Sequence, residues 1–353
     1  MSNSKRLIIA SSEAYTGKSA TILGIAHQLQ KKGIELGYGK PIGTCFQPDD
    51  KIQDEQDLQF ISQTLNLPAN RVQAPLLLLD EKTIIDSLNN NTSYEDKLVE
   101  YVDSIEGDLV LLEGGGTLTQ GNLFSLSVPD IAEKLDAPVL LVVKYHSLLI
   151  IGQILHAKKV LGDHLKGVLI NNVPTDALDT IENNLKPFMK TKDIDILGIM
   201  PTDRLLQSVS VRELVDQLNA NVLCREDRLD LMVETLTVGA MNVNAALEYF
   251  RRGKNMAVIT GSDRTDLQLA ALESSTNCLI LTGHTPPQDL ILARAKDLEI
   301  PILSVNLDTL STVEIVDQAF GTVRLHETIK VECVQTLIQE HFNLDELLTK
   351  IGF

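Results

Sequence analysis

The sequence predicts an α/β protein: a doubly wound, mostly parallel sheet over residues 1–220, then a second, smaller α/β domain over residues 221–353. Three observations predict it. Short Val/Ile/Leu runs alternate with amphipathic stretches through the first two hundred residues, the pattern of a parallel sheet covered on both faces. The first run, Leu7-Ile8-Ile9-Ala10, empties into the small-residue loop Ser11-Ser12-Glu13-Ala14-Tyr15-Thr16-Gly17-Lys18-Ser19. After Pro201 the composition shifts, and the charged segment Arg225-Glu226-Asp227-Arg228 precedes a second set of strand-like runs.

In chain order, strands are expected at Leu7–Ala10, Glu35–Lys40, Leu109–Leu112, Val139–Val143, Gly167–Ile170 and Ile194–Ile199. Each is too short for a helix, and most end at Gly, Asn, Lys or Pro. The stretches between them carry helical periodicity: Lys18–Lys32 stopped by Gly33, Asp54–Leu65, Val128–Lys134, Leu148–Leu161 and Ala177–Met189. Val209–Leu223 reads as a helix and a strand. The second domain repeats the alternation, with strands Met256–Thr260, Cys278–Thr282 and Pro301–Val305 between helices Asn244–Arg251, Thr265–Glu273, Pro287–Leu298 and Thr312–Ala319. Helices Val331–Gln339 and Leu344–Lys350 close the sequence.

In open α/β sheets, ligands bind beyond the carboxyl ends of the strands. Those ends carry the Ser11–Ser19 loop, Lys40-Pro41, Glu113-Gly114-Gly115-Gly116, Lys144-Tyr145 and Asn171-Asn172. The loop fits the phosphate-binding pattern G-x-x-x-x-G-K-[ST] except that Ser12 stands where glycine is usual. In such a loop, backbone N–H groups and the helix N-terminus hold phosphate oxygens, Lys18 neutralises them and the Ser19 hydroxyl can ligate magnesium. Asp57 lies in the acidic stretch Asp49–Asp57, a pattern that solvated surface also produces. Asp263, Arg264 and Asp308-Thr309 end strands of the second domain, where they read either as helix caps and charge pairs or as a small-molecule or partner site.

The composition excludes several classes. A formal charge of −17 disfavours nucleic acid or an anionic membrane as the main partner, and 4% aromatics with no Trp supplies no stacking platform. Cys45, Cys224, Cys278 and Cys333 lie far apart and form no C-x-x-C pair, a spacing that gives neither a zinc site nor a disulfide framework and suits a reducing cytosol. The seven histidines show no metal-ligand spacing. No signal peptide is read at the N-terminus and no apolar run approaches the length of a membrane span, so a cytoplasmic location is expected.

Gly17-Lys18-Ser19, Lys40-Pro41-Ile42-Gly43 and Val110-Leu111-Leu112-Glu113-Gly114-Gly115-Gly116 together resemble dethiobiotin synthetase, an ATP-dependent carboxylating P-loop enzyme, over about residues 4–220. Residues 221–353 resemble the DRTGG domain through Val258-Ile259-Thr260-Gly261-Ser262-Asp263-Arg264-Thr265-Asp266 and Leu281-Thr282-Gly283. This order of domains is similar to the N-terminal regulatory half of long bacterial phosphate acetyltransferases. In those proteins an acetyltransferase domain follows; none is read before Phe353, so acetyl transfer by this sequence alone is not expected.

The resemblance implies roles residue by residue. Ser12, Glu13, Thr16, Gly17, Lys18 and Ser19 would hold ATP, and Asn171 would read adenine. Ser19, Glu113 and Asp57 (or Asp54) would hold Mg2+. Lys18 and Lys40 would be catalytic, with Lys40 facing the transferred phosphoryl, and Thr44 would lie near a carbamate. Where the family's loop begins Gly-Thr-Asp-Thr, this one reads Ser11-Ser12-Glu13-Ala14, which loses a threonine contact and retains an acid. The expectation is an ATP- and Mg2+-binding regulatory or sensing protein with at most slow hydrolysis. The alternatives are an ATP-dependent carboxylase or ligase on a small substrate, and an accessory subunit that assists a phosphate acetyltransferase in trans. The resemblance also implies a homo-oligomer.

Overall fold

The computed structural model describes residues 4–44, 57–90, 94–239, 241–283, 285–321 and 327–353. The chain divides into two units, Met1–Thr202 with Leu325–Phe353, and Asp203–Arg324. This differs from a single boundary at residues 220/221: the C-terminal helices return to the first unit.

The first unit is built on a seven-stranded sheet in the order β4-β2-β6-β1-β7-β8-β9. Its strands are β1 (Lys5–Ser11), β2 (Leu36–Gly39), β4 (Val72–Gln73), β6 (Leu109–Glu113), β7 (Val139–Lys144), β8 (Leu165–Val173) and β9 (Ile196–Pro201). Every neighbouring pair is parallel. Two further short strands, β3 (Ile42–Thr44) and β5 (Leu77–Leu79), pair apart from this sheet and had no counterpart in the expected elements. The central strands are buried along almost their whole length, which is why they read as unbroken apolar runs.

Because β1 lies between β6 and β7, the chain leaves the sheet centre in opposite directions from it. The end of β1 is therefore the crevice where the strand order reverses. Helix α1 (Lys18–Lys31) starts directly beyond it. The expected helix from Asp54 is seen over residues 57–64, and Asp54 itself lies outside the described residues, as does the side chain of Thr44.

One face of α1 is closed by the helix Thr328–His341. A Cβ added to Gly24 of α1 would stand 2.5 Å from Ile338 Cγ1, so the glycine permits the two helices to approach closely. The following turn is tied to β9 by the Asn343 N–H donating to Leu197 O at 2.8 Å, and the Lys5 ammonium stands 4.7 Å from the Phe353 ring centroid.

The second unit has a five-stranded sheet, β11-β16-β15-β14-β13, formed by β11 (Asn221–Cys224), β13 (Thr235–Val238), β14 (Met256–Gly261), β15 (Thr276–Thr282) and β16 (Ile302–Val305). Among the described residues, β11 runs antiparallel to β16 and the other neighbours in this sheet are parallel, while β10 (Val209–Ser210) and β12 (Met232–Val233) form a separate antiparallel pair. Separate apolar clusters cover its two faces. One contains Val211, Leu214 and Val316; the other contains Phe250, Leu267 and Ile291.

Candidate phosphate-binding site

Gly17 starts α1 with φ +94°, a backbone conformation that costs other L-residues about 1–2 kcal/mol. Gly17 brings no side-chain cap, so the first N–H groups of the helix are available at the loop, the arrangement that suits an anion. The preceding residues wrap around this end, with Tyr15 at φ 55°.

Lys18 turns back into the loop and donates from Nζ to Ser11 Oγ at 3.0 Å. Ser11 Oγ in turn donates to Gly116 O at 3.2 Å, which links the loop to the glycine run after β6. Burial holds the Lys18 ammonium below the usual lysine range; the Glu113 carboxylate opposes that shift and the nearby Lys40 charge adds to it. Lys40 and Glu113 thus both sit within electrostatic reach of Lys18, as expected from three adjacent strand ends.

Glu113 is the hub. It is 6% exposed, and its Oε1 accepts from Ser19 Oγ at 3.1 Å. Its Oε2 accepts from Tyr38 OH at 2.7 Å. Register explains the second bond: Tyr38 pairs with Leu111, and Glu113 lies two residues farther along β6, so it projects from the same face. Burial, followed by the Glu113 charge, pushes the Tyr38 hydroxyl well above its ordinary range, and Asp57 adds to that shift. The phenol is therefore a neutral donor at physiological pH, with both carboxylates expected at the metal acting on it.

The other loop residues are held from the side. Ser12 Oγ donates to Gln153 Oε1 at 3.0 Å, and Glu13 Oε1 meets His146 Nε2 at 2.6 Å. Asn171 Nδ2 donates to Thr16 O at 2.8 Å, and its Oδ1 accepts the Asn172 N–H at 2.9 Å. Asn171 thus braces the loop backbone. Thr16 Oγ1 is buried without a hydrogen-bond partner among the described residues.

The structure therefore brings Ser12, Glu13, Thr16, Gly17, Lys18, Ser19, Lys40, Asp57, Glu113 and Asn171 to one edge of one sheet. It adds Ser11, Tyr38, His146 and Gln153, which were not among the expected ligands. Tyr38 carried a signal: a phenol in a four-residue strand otherwise made of Leu and Gly needs a polar partner when buried. Nothing local announced His146 or Gln153, whose partners lie more than a hundred residues away.

In the second unit, Arg264 Nη2 donates to Met241 O at 3.1 Å and Nε lies 3.5 Å from Asp266 Oδ1. Arg264, rather than Asp263 or Thr265, stands at the N-cap position of the helix Thr265–Leu272, and its side chain makes no capping hydrogen bond there. Asp308 accepts from the backbone N–H of Ser311 at 3.0 Å and from its hydroxyl at 2.9 Å, so its carboxylate ties down the start of the helix Thr309–Gly321. Thr282 Oγ1 and Thr309 Oγ1 are hydrogen-bonded at 3.0 Å.

A family profile described as an AAA domain matches residues 5–210, more than half of the chain. This protein belongs to that AAA-domain family. The DRTGG domain matches residues 213–319 of this AAA-domain protein, as the Val258–Asp266 and Leu281–Gly283 segments implied.

Curated relatives are phosphate acetyltransferases. That of Synechocystis sp. is 24% identical over 97% of this chain and 51% of its own length. That of Nitratidesulfovibrio vulgaris is 24% identical over 99% and 52%, and that of Escherichia coli 23% identical over 93% and 50%. The chain spans about half the length of the curated relatives it matches.

Among solved structures, the CBS and DRTGG domains of a Clostridium perfringens pyrophosphatase, complexed with the activator diadenosine tetraphosphate, align at 18% identity. That alignment covers 51% of this chain and 90% of the other with a TM-score of 0.30. Chloroplast FtsY from Physcomitrella patens aligns at 16% identity over 56% and 59%, with a TM-score of 0.35. No helix among the described residues of this AAA-domain protein is long and apolar enough to cross a membrane.

Proposed function

We propose that this protein is an ATP- and magnesium-binding regulatory or sensing protein of the kind found in the N-terminal half of long phosphate acetyltransferases, with slow ATP hydrolysis as the most chemistry it performs. The observation that carries the reading is Ser19 Oγ beside Glu113 Oε1, 3.1 Å apart, at the start of the helix that Lys18 opens. Oxygens at adjacent corners of a magnesium octahedron with bonds of about 2.0–2.1 Å stand about 3 Å apart. The donor set therefore suits magnesium, which takes one or two protein oxygens and fills its shell with water and phosphate.

Ser19 and Glu113 would hold magnesium, which would supply positive charge against the phosphates. Gly17 and the first N–H groups of α1 would hold those oxygens, and Lys18 would move from Ser11 toward them. Asp57, whose charge reaches the Tyr38 hydroxyl, would complete the magnesium shell beside Ser19 and Glu113. An amide NH2 has two donors, and Asn171 commits one to Thr16 O, which leaves one for the adenine proposed as its partner. Homo-oligomerisation and an acetyltransferase or other protein partner belong to the same reading, through which nucleotide occupancy would bias the DRTGG unit.

A second reading is an ATP-dependent ligase on a small amine or acid. Lys40 favours it, because its charge reaches Lys18 and would supply a second cation at a transferred phosphoryl. Phosphate release stimulated by a diamine or carboxylate would support that reading; kinetics of a phosphate acetyltransferase altered by adding this protein would support action in trans.

Thermal unfolding with and without ATP and magnesium tests the main reading. Ligand at a hundred times its Kd stabilises the folded state by about 2.7 kcal/mol. An unfolding midpoint that does not move with millimolar ATP and magnesium counts against it.

A further inference from the structure

We infer that Tyr38 is a positioning residue for the magnesium ligand Glu113, fixing the plane in which that carboxylate meets the ion. The inference rests on the ATP–magnesium reading above and adds to it a residue that no phosphate-binding loop pattern contains.

The argument begins with the carboxylate. Glu113 ends a strand that is buried along its whole length, and its side chain is closed off from water. A buried carboxylate left without donors is strongly destabilised. Here each oxygen has one donor: Ser19 Oγ at 3.1 Å on Oε1 and Tyr38 OH at 2.7 Å on Oε2. Donors on both oxygens stop rotation of the carboxylate about its last bond. Each oxygen also keeps a second lone pair, so Oε1 remains able to meet a cation while Oε2 stays on Tyr38.

Tyr38 cannot easily leave this arrangement. Its side chain is 1% exposed and its strand is flanked by β4 and β6, so the ring has no solvent-facing alternative. The phenol touches neither nucleotide nor metal in this scheme; it acts through Glu113. Outer hydrogen bonds of this kind are worth about 10- to 100-fold in metal affinity where they orient a ligand.

The ring also fills core space, and packing alone would explain its burial. Tyr38→Phe separates the two roles, because it keeps the ring and removes the O–H. The experiment is calorimetric titration of ATP into wild type and Tyr38→Phe, each with millimolar magnesium and with excess EDTA. Positioning predicts that the gain in ATP affinity on adding magnesium shrinks by about tenfold in Tyr38→Phe, while affinity in EDTA is unchanged.

A magnesium gain equal to that of wild type overturns the inference and leaves the ATP reading standing. No ATP binding by wild type overturns both. Glu113→Gln introduced into the Tyr38→Phe background supplies a second measurement. Positioning predicts that it costs less there than in wild type, whereas equal costs in the two backgrounds contradict the coupling.

Discussion

Ser19, the second residue of α1, donates its hydroxyl to Glu113, the last residue of β6, across 3.1 Å. The two residues are 94 positions apart, and the parallel pairing of β1 with β6 is what brings them together. Ile9 lies in register with Glu113, so the loop that follows β1 passes directly over the carboxylate.

Glu113→Gln tests this junction. The amide keeps the size of the side chain and loses the charge that attracts magnesium. Charge-assisted hydrogen bonds are worth about 1.5–3 kcal/mol, so ATP affinity in magnesium should fall by about 10- to 100-fold. Titration calorimetry in magnesium against EDTA reads the effect, which should vanish in EDTA.

Lys18→Met should abolish nucleotide binding while raising the thermal midpoint of the nucleotide-free protein, because burial disfavours the Lys18 charge. Burial, the largest cause, lowers the folded-state pKa of Lys18 below its unfolded value near 10.4. Between those two values the unfolded chain binds more protons, so the stability due to Lys18 rises with pH across that window. The advantage of Lys18→Met over wild type should therefore be largest at neutral pH and shrink as pH rises toward 10. A variant less stable than wild type at neutral pH contradicts this account of the lysine.

Gly17→Ala should distort the loop. Its φ of +94° is strained for alanine, and the added Cβ would lie 2.5 Å from Asn171 Nδ2, the group that braces Thr16 O. The backbone term alone is about 1–2 kcal/mol. Adding Asn171→Ala should relieve part of the cost, so a double-mutant cycle on unfolding free energy should be non-additive. Additive effects would mean that the two residues do not press on one another.

The C-terminal helices should be needed for the first unit. Ile338 is 3% exposed and packs where Gly24 leaves room on α1. Ile338→Ala should cost about 2–5 kcal/mol in denaturant unfolding and weaken nucleotide binding through α1. A loss confined to the unfolding of residues 203–324, followed by limited proteolysis, would place the helix wrongly.

Much of the fold was legible because buried parallel strands are unbroken apolar runs, and Leu109–Leu112 or Val139–Val143 admit few other readings. The loop was legible because anion binding at a helix start needs Gly17-Lys18-Ser19 in sequence. What stayed hidden was long-range. Nothing near Val331 says that its helix packs on α1 rather than on the domain preceding it in sequence; the complementarity of Gly24 and Ile338 appears only once both helices are placed. Ser12 reads as a flawed loop position until Gln153 supplies an acceptor for its hydroxyl. The partnership of Tyr38 with Glu113 depends on the register of β2 on β6, which neither segment specifies alone.

The most direct measurement is calorimetric titration of ATP, with magnesium, into wild type and Lys18→Met. Micromolar binding by wild type that is lost in the variant is the predicted result. Equal affinity in both would remove the Ser11–Ser19 loop from nucleotide binding and contradict the account at its centre.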